Sequence, residues 1–254
     1  IDSQKIATML RAGMLPQAYV YPRRMRATRD LLRRREYFMH QHSELLTHVT
    51  NTNTQYNYPV FEKRIRPKAN RNDLAERFVE PSARKSVEAD LHLLDVYHRV
   101  LLDLEAEIKR QATEHDPVAY QLLRTIPGVG PILALIILYE IGDVCRFPEV
   151  GNFISYARLV KCAHESAGKR VSGGHNKIGN AHLKWAFSEA AVLFLRERDD
   201  AKRLHQKLVA KYGKAKALSI IAQKLGRTAY YILKRKEPFV AKRFFGDGVR
   251  ESAA

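Results

Sequence analysis

A serine stands in a short stretch of small and charged residues, Glu165-Ser166-Ala167-Gly168-Lys169-Arg170. Gly168, Gly173, Gly174 and Gly179 let a backbone come close to a ligand there, and Lys169, Arg170, His175 and Lys177 can gather phosphates. A hydroxyl that attacks phosphorus needs in-line placement, charge neutralisation and a proton acceptor. This segment can supply the first two, so phosphoryl transfer is the chemistry it suits. The plainer reading is that Ser166 fills or caps a loop, as Ser172 does. A second segment, Ile126-Pro127-Gly128-Val129-Gly130-Pro131, lies between apolar runs. Gly128 and Gly130 can take positive φ and reverse the chain tightly. Successive N–H groups facing outward near a helix N-terminus would bind phosphate oxygens, the pattern of a helix-hairpin-helix element. The alternative is an ordinary turn between helices.

Two further groups bear on chemistry. Arg23, Arg24, Arg26, Arg29, Arg33, Arg34 and Arg35 crowd one stretch with almost no acids to offset them. They read as contacts to a nucleic-acid backbone, or else as a solvated helix face. Asp2, taken alone, reads as a helix N-cap. Clustered carboxylates are what hold Mg²⁺ for phosphoryl transfer, and no cluster is visible. Asp90, Asp95, Asp103, Glu105 and Glu107 read as solvated charge on a helix.

The elements that must position these groups are helical. Ile6, Met9 and Leu10 give a short helix that Gly13 stops. Pro16 and Pro22 bound an extended link. A long helix is expected from about Arg23 to Thr50, with seven-residue spacing in Leu31, Phe38 and Leu45 and in Leu32, Met39 and Leu46. Residues 51–67 read as a loop. A second long helix spans about Ser82 to Glu114, with Val87, Leu91, Leu94, Tyr97, Leu101, Leu104 and Ile108 on one face. The two are expected to form an antiparallel coiled-coil hairpin. Tyr120 to Tyr139 is the glycine-hairpin helix pair. Helices follow near 151–159, 180–198, 199–212 and 214–236, and the tail after Pro238 is expected to be loosely ordered. No period-2 strand is evident, so the fold class is mainly α.

The chain has 254 residues, 45% of them apolar, a formal net charge of +17 and a pI near 9.9. That charge points to a polyanionic partner, nucleic acid first. No run of about 18 apolar residues exists, so no membrane span is expected. Cys145 and Cys162 form no Cys-x-x-Cys pair, which argues against a zinc site and fits a reducing cytoplasm. The chain opens on Ile1 and carries no signal peptide, and it reads as a fragment lacking an N-terminal part.

These residues resemble the DEDD (IS-one-ten) transposase family of bacterial insertion sequences, which are RNA-guided serine recombinases. The family's Leu-x-x-Ile-Pro-Gly-Val-Gly-Pro opening is matched by residues 123–131, and its Ile-Gly-Asp-x-x-x-Phe by Ile141-Gly142-Asp143 and Phe147. Its Tyr-Ala-Gly-Leu is met by Tyr156-Ala157-Arg158-Leu159, its Gln-Ser-Gly-Gly by residues 165–168, and its Lys-x-Gly-Asn by residues 177–180. Arg158, Lys161 and Ala167 stand where Gly, Pro and Gly are usual. Residues 2–16 are similar to the end of the family's RuvC-like nuclease domain.

The resemblance implies that Ser166 is the nucleophile and that Asp2 is the last acid of an Asp-Glu-Asp-Asp set that holds Mg²⁺, the other three lying upstream of Ile1. It implies a domain order of a RuvC-like α/β remnant at 1–21, a coiled-coil hairpin at 22–116, an all-α transposase domain with a helix-hairpin-helix-like element at 117–240, and a basic tail at 241–254. It also implies DNA strand exchange in transposition, a structured guide RNA, a homo-oligomer, and a cytoplasmic, nucleoid-associated setting. On this reading Gly128, Gly130, Lys169, Arg170 and Lys177 contact DNA. The alternative is a non-catalytic helix-hairpin-helix module of DNA repair or junction binding, in which Ser166 is inert.

Overall fold

The computed structural model describes residues 2–15, 18–160, 164–166, 169–171 and 178–246, with backbone alone for 164–166 and 169–171. The expected mainly α fold is what it shows. Helix α1 (Asp2–Arg11) ends at Gly13, whose φ is +66°, and buries none of its residues. Helices α2 (Arg23–Gln55) and α3 (Pro81–His115) pack along their length. They run antiparallel: Arg35 meets Glu105 and His48 meets Asp90, so numbers rise on one helix as they fall on the other.

The seam between α2 and α3 departs from the expected one. On α3 Val87, Leu94, Leu101 and Ile108 are buried, seven apart and all on the expected face. On α2 the buried positions Thr28, Arg35, His42 and Val49 are also seven apart but mostly polar. Leu32 is buried, while Leu31, Phe38, Met39, Leu45 and Leu46 are half-buried. The polar seam survives because its charge is paired: the Arg35 guanidinium donates through Nε and Nη2 to Glu105 Oε1 at 2.8 and 2.5 Å. Asp90, Asp95 and Glu105 are therefore partners rather than free surface charge. Lys68, by hydrogen bond, holds Asp95 below the usual carboxylate range, with Arg71 adding to it.

Helix α2 runs past the expected loop boundary at residue 51. Beyond Gln55 the chain folds back on the helix pair, and Val49, Ile65, Leu74, Phe78 and Val87 close a small second core.

The main core forms around α5 (Pro131–Ile141), which is apolar on every side and buried from Leu133 to Ile141. Helix α4 (Pro117–Arg124) precedes it, capped by Asp116, whose carboxylate accepts from the Ala119 N–H at 2.9 Å. Around α5 lie α2, α3, α4 and α7 (Ala181–Glu197). Next come α6 (Val150–Tyr156), α8 (Asp199–Tyr212) and α9 (Lys214–Arg235). Gly226 lets α6 and the chain after it press on α9, since a Cβ there would lie 2.5 Å from Leu159 Cδ1.

Two expectations fail. The tail is not loose at its start: α10 (Ala241–Phe245) packs Phe244 against Phe194, ring centroids 5.0 Å apart, and the Lys224 ammonium donates to the Phe244 carbonyl. Aromatic burial overrides the basic composition that suggested disorder. Strands also exist: β1 (His164–Ser166) and β2 (Lys169–Val171) pair antiparallel where a flexible loop is expected. Three-residue strands are too short to leave a readable alternation.

Candidate active site

The candidate site is built on a carboxylate forced into the core. Glu140 is the one charged residue of α5 and lies one residue before its end, with its side chain 1% exposed. A buried carboxylate must be paired. Arg33 of α2 supplies a two-pronged partner, Nε to Oε1 at 2.6 Å and Nη2 to Oε2 at 2.8 Å. Asn180 adds Nδ2 to Oε2 at 2.6 Å. Burial pushes the Glu140 carboxyl up, but these donors overcome it and leave it below the usual carboxylate range.

Tyrosines extend the cluster. The Tyr21 hydroxyl donates to the Glu140 carbonyl at 2.7 Å, and burial raises its own titration well above the ordinary phenol value. The Arg29 guanidinium lies 3.9 Å from the centre of the Tyr21 ring, and that of Arg146 lies 4.3 Å from Tyr19 and 4.5 Å from Tyr156.

This cluster ties the foot of the segment that carries Ser166. The Tyr156 carbonyl, at the end of α6, accepts from the Asn180 N–H at 2.6 Å. Asn180 is also the N-cap of α7, its Oδ1 accepting from the Leu183 N–H at 3.0 Å. Gly179, at φ +96°, must be glycine for two reasons: its φ is left-handed, and a Cβ would meet the Tyr156 carbonyl oxygen at 2.6 Å. Arg158 also has a left-handed φ, +55°, and its Nε donates to the Ile178 carbonyl at 2.9 Å. Both ends of the segment are thus held together, and between them the register sets Ser166 opposite Lys169 and Glu165 opposite Arg170.

Beside that foot opens a cleft of about 520 Å³ lined by Arg33, Tyr156, Arg158, Gly179, Asn180 and His182. The His182 Nδ1 faces Glu36 Oε2 at 2.5 Å. The carboxylate accepts the Nδ1–H, so in the neutral ring Nε2 is the accepting nitrogen.

The other candidates divide. Arg23, Arg24, Arg26 and Arg34 are exposed on α2, as a backbone contact needs. Arg29 and Arg33 are not available in that sense, because the tyrosine cluster takes the first and Glu140 the second; Arg35 belongs to Glu105. The glycine hairpin also differs from expectation. Gly128 has φ +80°, but it faces inward: a Cβ would lie 2.4 Å from the Phe194 nitrogen, and its N–H donates to Glu197 Oε2 at 2.7 Å. A carboxylate of the protein already holds the place expected for a phosphate. Gly130 takes φ −71° and ψ 177°, ordinary extended backbone, and is exposed with open space around it.

Lys177, with Gly168, Ser172, Gly173, Gly174 and His175, lies outside the described residues. Lys169 and Arg170 are placed by β2 at the level of backbone. Asp2 lies exposed on α1, and among the described residues no group of three His, Cys, Asp or Glu side chains is arranged to hold a metal ion. One carboxylate does not match the oxygen-rich set that Mg²⁺ requires.

Sequence reasoning missed Glu140, Arg146, Glu36 and His182. Glu140 had a visible signal, a lone acid inside an apolar helix. The other three had none, because their partners are distant in the chain.

The stretch that holds the clasped hairpin and the helices on either side of it is similar to proteins of insertion sequences. Residues 120–206 match the transposase family described as IS116/IS110/IS902. It is 30% identical over 141 residues to the transposase for insertion sequence element IS1111A of Coxiella burnetii, covering 54% of this chain and 38% of that protein. It is 32% identical over 113 residues to the IS110 uncharacterized 43.6 kDa protein of Streptomyces coelicolor, covering 44% of this chain and 27% of that one. The chain thus spans well under half the length of these relatives. No described helix is long and apolar enough to cross a membrane.

Proposed function

We propose that this chain is the part of a DNA transposase that carries the serine nucleophile. The observation that carries the reading is the clasped hairpin, with Ser166 in register with Lys169, inside the stretch that matches the transposase family. In the step proposed, Ser166 Oγ forms a bond to a DNA phosphorus and the bond from phosphorus to one deoxyribose oxygen breaks. The serine proton passes to a base, and the departing oxygen takes up a proton. His182, oriented by Glu36 beside the hairpin foot, offers Nε2 as that base. The phosphoserine ester keeps the energy of the broken linkage, so a second DNA hydroxyl can reverse the step and rejoin strands without an outside energy source.

Lys169 and Arg170 would neutralise the phosphate, and the exposed Arg23, Arg24, Arg26 and Arg34 would follow a nucleic-acid backbone. The family resemblance extends the reading to a structured guide RNA, to Mg²⁺ held by Asp2 with acids from outside this chain, and to a homo-oligomer in the bacterial cytoplasm, bound to the nucleoid. A non-catalytic helix-hairpin-helix binder is less well supported, because Gly128 spends its N–H on Glu197.

The test is Ser166→Ala in a strand-exchange assay with a complete family polypeptide of this sequence. Exchange and the covalent protein–DNA adduct should disappear while DNA affinity is kept, since no charge is removed. Ser172→Ala should remain active, and His182→Gln should slow adduct formation without weakening DNA binding. Full recombination by Ser166→Ala would refute the assignment.

A further inference from the structure

The chain has no Asp or Glu between Asp200 and Glu237, a stretch covering almost all of α8 and all of α9. Arg203, Lys207 and Lys211 succeed one another at four-residue spacing on α8, and Lys214 and Lys216 open α9. All five are exposed, and among the described residues none makes an ion pair with a carboxylate. The nearby acids are already engaged: Asp199 by Lys202 and Asp200 by Arg198. Like charges four apart on a helix repel one another, so the row works against the fold that carries it. It also lies apart from the arginine-rich helix: α8 packs on α7 and α9, whereas α2 packs on α3 and α5.

We infer that the α8–α9 corner is a second, separate docking surface for the phosphate backbone of duplex DNA. The inference rests on the proposed transposase reading only for the class of partner. Charge complementarity selects a polyanion. Rigidity selects a duplex: Arg203, Lys207 and Lys211 stand about 6 Å apart along a straight helix, a fixed row suited to a stiff, regular strand. Single-strand binders present aromatic platforms on which bases stack. Here the one aromatic of the corner, Tyr212, has its ring approached by the ammonium groups of Lys211 and Lys216, at 5.2 and 4.9 Å from its centre. The corner therefore offers a row of charge beside one exposed ring rather than a series of stacking platforms. Two separate surfaces for nucleic-acid backbones on one chain suit a protein that must hold two strands or duplexes at once.

The test compares the 254-residue chain with Arg203→Gln/Lys207→Gln/Lys211→Gln and with Arg23→Gln/Arg24→Gln/Arg26→Gln. Anisotropy titrations over a salt series would use a random-sequence duplex and a single-stranded RNA. On the duplex, the α8 variant should lower the slope of log affinity against log salt by about 0.9 for each phosphate that is no longer neutralised, up to about 2.7 for three. Its helical content should be unchanged, because exposed like charges are removed; Lys207→Gln alone, with a drop of about 0.9, serves if the triple variant does not fold. An unchanged duplex slope in the α8 variant, with a reduced one in the α2 variant, would overturn the second surface and leave the transposase reading standing. A slope lowered on RNA alone would overturn the duplex assignment. Unchanged slopes in both variants would overturn this surface and the proposed role of the α2 arginines together.

Discussion

Replacing Glu140 by Gln tests whether the buried carboxylate holds the site together. Glu140 accepts two hydrogen bonds from Arg33 and one from Asn180. A Gln side chain has one acceptor oxygen, so its NH₂ must face a donor on Arg33 or Asn180. Hydrogen bonds to charged groups contribute about 1.5–3 kcal/mol each, and breaking a fully buried ion pair costs about 3–5 kcal/mol. Arg33 is 39% exposed and can turn partly to water, which places the cost near the lower end, about 3 kcal/mol. For a chain of this size that is a fall of about 6–12 °C in Tm. Thermal melts followed by circular dichroism at pH 7 would measure it, and a cycle with Arg33→Met should show coupling above about 1 kcal/mol. The pH dependence has a fixed sign. The folded carboxyl lies below its unfolded value of about 4.3, so its stabilisation is fully present above that value and is lost as pH falls through the folded one. The gap in Tm between wild type and variant should therefore hold from neutrality to about pH 5 and narrow in stronger acid. A Tm change under about 1 °C at pH 7, where about 6 °C or more is expected, would refute the argument that Glu140 anchors this cluster.

Gly128→Ala should destabilise the fold by about 2–5 kcal/mol, from a left-handed φ and from a Cβ driven into the backbone of α7, whereas exposed Gly130→Ala should leave Tm nearly unchanged. If the hairpin approaches DNA closely, Gly130→Ala should weaken duplex affinity in a titration while Tm stays put; equal Tm losses in the two variants would contradict the inward packing of Gly128. Phe244→Ala should cost about 3 kcal/mol in a urea melt, because Phe244 is buried among Phe194, Phe239 and Phe245, and a loosely ordered tail would lose nothing.

What the sequence made legible follows from how each signal is encoded. Periodicity within one helix is local, so α2 and α3 were readable nearly to their ends, and Val87, Leu94, Leu101 and Ile108 are buried on the face that their spacing marked. The α2 side of the seam was hidden because Arg35 and His42 are polar, and only a partner on α3 makes an arginine a core residue. The arginine run shows the same limit. Seven arginines in thirteen residues look like one basic face, yet Arg29, Arg33 and Arg35 turn to an aromatic ring and to two carboxylates that lie far along the chain. The glycines were readable as residues that must stay small, but the cause was not. Gly128 is glycine for the sake of α7, and Gly179 for the sake of the Tyr156 carbonyl. Arg158 supplies the converse case. It occupies a left-handed position where the resembling family carries glycine, a conformation that costs an ordinary residue about 1–2 kcal/mol, and its Nε bond to the Ile178 carbonyl offsets part of that cost by fastening the serine segment's foot. A residue that departs from the family pattern thus marks the same constraint as one that keeps it: the backbone there must turn left-handed for the segment carrying Ser166 to close.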